Sequence, residues 1–110
     1  MSNSPTTTES RHRMRKAHAP IPPGEILKEE FLKPLGISQY RLAQATGLRA
    51  TRIGEIIRGK RRITTETAVR LSRALGLSER YWINIQADYD LEVEHDTNES
   101  ALARVQVLVS

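Results

Sequence analysis

Apolar residues recur at helical spacing along most of the chain, and the runs break at glycines and prolines. Between Ser38 and Arg62 two short patterns lie back to back, hinged at Gly47. The first, Ser38 to Thr46, turns Leu42 and Ala45 inward and sets Ala43 where neighbouring helices must approach closely. The second, roughly Arg49 to Arg58, gathers Ile53, Ile56 and Ile57 on one side at about 100° per residue. Ser38 is a suitable N-cap, because its hydroxyl accepts from a free first-turn amide. Gly47 and Gly59 fall where a chain leaving a helix adopts positive φ.

The flanks complete five helical segments. The first begins at Pro23 or Gly24, buries Ile26, Leu27, Phe31 and Leu32, and is predicted to stop at Lys33, where Pro34 disfavours helical geometry. The fourth, about Thr65 to Leu75, is capped by Thr64 and turns Ala68, Leu71 and Leu75 inward, with Val69 and Ala74 beside them. The fifth starts behind the N-cap Ser78 and is predicted to fade near Asp90 to Glu94. Trp82 reads as core. Ile83, Ile85, Gln86 and Tyr89 exceed what one small domain can bury and form a candidate dimer face. In the tail, Val105, Val107 and Val109 alternate with Gln106 and Leu108 at strand period. A lone strand would seek a partner in another chain; disorder in the free protein is the competing reading. The expected fold is all-α, five helices with a short C-terminal strand or flexible tail. Residues 1–20 form a polar, disordered arm, 21–93 the helical domain, and 94–110 an acidic linker and strand-like tail.

Charge changes the picture. The formal net charge is +4, concentrated in the middle: from Arg49 to Arg73 there are eight basic residues and two acids, Glu55 and Glu66. From Asp88 to Glu99 there are six acids and no Lys or Arg. Two surfaces of opposite sign suit two partners, nucleic acid for the basic one and a basic protein for the acidic one, although both are also compatible with solvated faces. Short helix, glycine turn and short helix, with arginines on the second, is the helix-turn-helix signature. Its outward set is Thr51, Glu55 and Arg58, with Arg52 and Gly54 on the flanks and Arg49 at the start. Arg49, Thr51, Arg52 and Glu55 are candidates for base edges, since Arg suits guanine and Glu accepts from cytosine. A plainer role for Glu55 is an ion pair with Arg52 or Arg58. Gly54 either lets backbone approach a base pair or is a neutral surface position. Gln39, at the start of the second helix, would hold a phosphate. Arg58, Lys60 and Arg61 would serve phosphates without reading sequence. Arg11, Arg13, Arg15 and Lys16 in the arm either track DNA or only solubilise the chain, and Met14 is a possible second start.

Several classes drop out. There is no cysteine, hence no disulfide, thiolate metal site or cysteine nucleophile, which fits a reducing compartment. His12, His18 and His95 lack zinc-ligand spacing, and Asp88, Asp90 and Glu92 begin a calcium-loop pattern that fails at Val93. No phosphate-cradling glycine loop or nucleophile elbow is present. No apolar run reaches transmembrane length, and the basic N-terminus has no signal-peptide core. The expectation is a non-enzymatic, cytoplasmic protein with no cofactor and no membrane partner.

Ser38-Gln39 through Gly59-Lys60-Arg61-Arg62-Ile63 resembles the Cro/C1-type (XRE) helix-turn-helix of lambda-like phage repressors. Three further runs narrow the resemblance: Pro23-Gly24-Glu25-Ile26-Leu27, Leu35-Gly36-Ile37-Ser38-Gln39, and Tyr81-Trp82-Ile83-Asn84-Ile85-Gln86-Ala87-Asp88-Tyr89-Asp90-Leu91. Together they resemble the HigA (VapI-like) antitoxins over about residues 20 to 93, with Pro22 standing where that family often has His. The resemblance implies a lambda-repressor-like fold and a dimer that represses its own operon at double-stranded operator DNA. It also implies neutralisation of a cognate HigB, RelE-like toxin that cuts mRNA on the ribosome. A stand-alone XRE-type regulator with no toxin, and an interaction module that has lost DNA binding, are the competing readings.

Overall fold

The computed structural model describes residues Ala19–Ser110. The basic cluster of the arm and Met14 lie outside the described residues. The first helix, α1, runs in three continuous segments: α-helical Pro23–Ile26, π-helical Leu27–Leu32 and α-helical Lys33–Leu35. It is followed by α2 (Gln39–Thr46), α3 (Ala50–Ile57), α4 (Thr65–Ala74) and α5 (Tyr81–Ala103). Two compact units result, Ile21–Tyr89 and a second that includes Asp90–Ser110.

Pro34 does not end α1. The helix carries through it and stops at Gly36, which takes φ 66°. A proline ring in a helix collides with the carbonyl four residues back and supplies no amide. The wider π turn immediately upstream, where the Lys33 amide reaches back to Lys28 O, relieves that crowding. The Ile37 amide then donates to Leu32 O at 2.9 Å and closes the end.

The core of the first unit is built from one face of each helix. Leu27, Leu42, Ile53, Ile56, Ala68, Leu71 and Trp82 are buried, with Leu32, Ala43, Leu48 and Ile63 around them. Phe31 of α1 meets Tyr81 and Trp82 of α5 edge to face, at centroid distances of 5.7 and 5.3 Å. Such ring pairs add about 0.5–1.5 kcal/mol each beyond the area they bury. Of the glycines, Gly24 has the closest neighbours. A Cβ there would collide with the Ile56 carbonyl oxygen and sit 2.9 Å from Ile57 Cα. The first turn of α1 therefore rests directly on the backbone of α3, and only glycine permits it.

Four local expectations change. Ala45 is exposed, and Thr46 is buried in its place. Ala74 is likewise exposed. Ser78 caps a turn through its Oγ and the Arg80 amide, 3.1 Å, and α5 proper begins only at Tyr81. The fifth helix does not fade at Asp90 to Glu94. It continues to Ala103, with one non-helical residue, Asn98 (φ −125°, ψ 30°). Residues 90–103 contain no Gly or Pro and several Glu, Ala and Leu, so backbone preference outweighs their like charge. No strand forms among the described residues. Val105–Ser110 stays outside regular structure, because a single chain offers this stretch no ladder to join.

Gly24→Ala is expected to destabilise the domain by about 3 kcal/mol, because backbone rather than a side-chain tip must move. Urea unfolding of the variant, read at Trp82 fluorescence, measures this. A midpoint equal to wild type contradicts the close approach.

Candidate nucleic-acid interface

The interface is made by α2, the turn at Gly47, α3 and the loop to α4. Each part is fixed by a local reason. The Ser38 hydroxyl accepts from the Arg41 amide at 3.0 Å and starts α2. Thr46 Oγ1 donates to Leu42 O at 2.8 Å and accepts from the Leu48 amide at 3.2 Å, so one buried hydroxyl ties the helix end to the turn. Gly47 takes φ 76°, and its amide bonds Ala43 O at 2.9 Å. Arg70 of α4 donates from Nη1 to Thr46 O at 2.8 Å, placing a cation on the carboxyl end of α2. Leu48 plugs the corner.

On α3, Ile53 and Ile56 are fully buried and Ile57 half-buried. The opposite side of the helix is only partly open to solvent. Arg49, Thr51 and Arg58 are exposed, and Arg52 and Glu55 are half-buried. No side chain caps the helix start, so its first amides remain open in the exposed Arg49-Ala50-Thr51 corner. Gln39 is also exposed. Gly54 is covered rather than open: a Cβ there would lie 3.1 Å from Arg58 Nη1 and 3.4 Å from Gln39 Oε1. Two expected DNA contacts from different helices thus meet over one glycine. Lys60 and Arg61 stand exposed in the following loop.

The charged side chains are not equivalent. Glu55 pairs with Arg61, Nε to Oε1 at 2.8 Å, and not with Arg52 or Arg58. Arg52 lies 3.7 Å from Glu66 of α4, and Glu66 also takes Arg70 at 3.4 Å. Arg49, Arg58 and Lys60 form no ion pair with a described residue. They are therefore available to an external anion.

The residues expected at a dimer face all lie on the first turns of α5, and Ile83 and Ile85 pack partly against the core. Ile83, Ile85 and Tyr89 are half-buried. Gln86 is buried, and its Oε1 accepts from the Ile63 amide at 2.8 Å. That bond anchors the end of the basic loop to α5. The sequence reading missed this role, as it missed Thr46, Arg70 and Glu66. A polar residue among apolar neighbours, such as Gln86 between Ile85 and Ala87, was the available signal.

Two short helices joined by a glycine turn, with an apolar inner face and a cationic outer one, define a helix-turn-helix protein. The helix-turn-helix family model matches residues 28–82. Virulence-associated protein I of Dichelobacter nodosus is 46% identical over 80 residues, 73% of this chain and 74% of that protein. Antitoxin HigA-1 of Vibrio cholerae serotype O1 is 40% identical over 79 residues, 71% of this chain and 74% of its own. A Pseudomonas aeruginosa antitoxin HigA, solved with the higBA promoter, superposes with a TM-score of 0.74 at 35% identity, covering 82% of this chain and 99% of that one. The chain belongs to the XRE-type helix-turn-helix family, in its HigA and VapI-like branch. This is a family of regulators, not of enzymes. Among the described residues no acid or histidine cluster could hold a metal, and no helix is long and apolar enough to cross a membrane.

Gly54→Ala is expected to fold normally, with stability within about 1 kcal/mol of wild type. The gain in helix propensity is offset by displacing two exposed side-chain ends. Gln86→Ala should instead cost about 1–3 kcal/mol, because it strands the buried Ile63 amide. Thermal melts of the two variants side by side test the contrast.

Proposed function

We propose that the protein is the antitoxin of a two-gene toxin–antitoxin pair and acts in the cytoplasm as a dimeric repressor of its own operon. The observation that carries the DNA-binding part is the division of α3: its isoleucines are buried in the core, and Arg49, Thr51 and Arg58 are left exposed beside an uncapped helix start. In the proposed complex α3 enters a major groove. Arg49, Thr51, Arg52 and Glu55 face base edges, and Gly54 lets Gln39 and Arg58 lie close to the helix. Gln39 with the start of α2 holds one phosphate, and Arg58, Lys60 and Arg61 hold others. A two-fold dimer formed through the α5 stretch of Ile83, Ile85, Gln86 and Tyr89 sets two copies of α3 about 34 Å apart on a palindromic site.

The toxin partnership is supported by kinship, since a relative at 40% identity is named an antitoxin. On that reading the partner is a RelE-like endonuclease that cuts mRNA on the ribosome. The acidic run Asp88 to Glu99 offers charge complementary to a basic protein. A stand-alone regulator would share the DNA face but not the partner. Expression together with the product of the adjacent gene, followed by co-purification, separates the two. A stoichiometric complex and relief of growth arrest are expected, whereas independent elution rejects the antitoxin role.

The DNA role is tested by gel shift on the protein's own promoter across a salt series. Lys60→Ala should weaken binding to every sequence alike and lower the salt slope by about one. Arg52→Ala should cost about 1–3 kcal/mol and relax preference at one base pair. A footprint unchanged by Arg52→Ala takes that residue out of the readout set.

A further inference from the structure

The basic band Arg49 to Arg73 holds eight cations and two acids. Both acids are bound to arginines of the same band: Glu55 to Arg61, and Glu66 to Arg52 and Arg70. All of these side chains are at least one-third exposed. Ion pairs so exposed contribute little to folding. A carboxylate beside a DNA-facing surface also repels phosphate, so Glu66 does not serve affinity.

Glu66 does restrict where two arginines can go. Arg52 projects from α3, and Glu66 sits on α4 behind it, 3.7 Å from the guanidinium. The other carboxylate oxygen holds Arg70 at 3.4 Å, and Arg70 in turn donates to Thr46 O at the end of α2. One carboxylate therefore links the recognition helix, α4 and the turn between α2 and α3. Resting on the DNA-binding reading above, we propose that Glu66 is a specificity-determining positioning residue: it holds Arg52 for base contact and keeps it from collapsing onto phosphates of unrelated DNA, whereas Arg70 is also held by Thr46 O.

The physical basis is a difference between two complexes. Arginine is a flexible chain with a planar fork that suits guanine and phosphate alike. Unrestrained, Arg52 takes the nearest phosphate on any sequence. Restrained by Glu66, it forgoes that contact, and its orientation is already set when the correct base arrives. Sequence-independent binding is weakened more than operator binding, so their ratio rises.

The test compares the full chain with Glu66→Gln, which keeps the shape and removes the charge. Binding is measured to the protein's own promoter fragment and to an unrelated fragment of equal length, over a salt series. Glu66→Gln should bind the unrelated fragment more tightly, with the salt slope steeper by about one. The ratio of the two affinities should fall by about two- to fivefold, the range open to an exposed ion pair. Glu66→Asp, which keeps the charge, should recover part of the ratio. In an Arg52→Ala background, Glu66→Gln should leave the ratio where Arg52→Ala put it, which a purely structural role would not produce. A wild type that discriminates, with a ratio unmoved by Glu66→Gln or one that falls equally in both backgrounds, overturns the proposal alone. A wild type that does not discriminate overturns the DNA-binding reading and this proposal together.

Discussion

The position of α3 depends on the contact between Gly24 and the backbone at Ile56 and Ile57. An eight-residue helix is not stable in water by itself. Its geometry must come from what it packs on. Ile53 and Ile56 supply the inward attraction, and Gly24 lets the first turn of α1 reach the α3 backbone itself. The Phe31, Tyr81 and Trp82 rings then fasten α1 to α5. The orientation of the outward residues of α3 is thus set on its far side, by groups that never meet a ligand.

The sequence shows a broad basic band, and the structure sorts it. Arg70 caps α2, Arg52 and Arg61 are held by carboxylates, and Arg49, Arg58 and Lys60 stay unpaired with any described residue. Proximity in sequence did not predict these partners. Glu55 bypasses Arg52 and Arg58, within one helical turn, for Arg61, which lies beyond the turn at Gly59. The loop folds back far enough that a residue six positions on comes closer than one three positions on. Loop geometry of that kind is not encoded in helical periodicity.

What was legible in the chain follows the same division. The inward stripe of α3, the caps at Ser38 and Thr64, the glycine at the turn and the burial of Trp82 all come from local rules, and each is found in place. Family resemblance in the runs at Pro23 and Tyr81 pointed to the branch to which the chain belongs. The misses have other causes. Pro34 passes through a helix because a π turn upstream accommodates it, and periodicity carries no sign of that turn. The fifth helix, expected to fade near Asp90 to Glu94, runs on to Ala103 because nothing in residues 90–103 breaks it. Gly24 read as a helix start, whereas its necessity arises from a residue thirty-two positions away. Gln86 read as part of a dimer face because its partner, the Ile63 amide, lies twenty-three positions away.

The two kinds of constraint act on different residues of one helix. Ile53 and Ile56 cannot change without loss of packing, and the α3 backbone is pinned at Gly24. Arg49, Thr51 and Arg58 carry no such obligation, since they are exposed and form no ion pair with a described residue. A substitution among them alters what the surface recognises and leaves the scaffold as it was. Arg52 and Glu55 stand between the two groups: half-buried, and tied to Glu66 and Arg61. Changes there act on recognition through a partner, so their effects depend on that partner's identity. Recognition can therefore diverge within the family at fixed fold, freely at the exposed positions and in coupled steps at the paired ones.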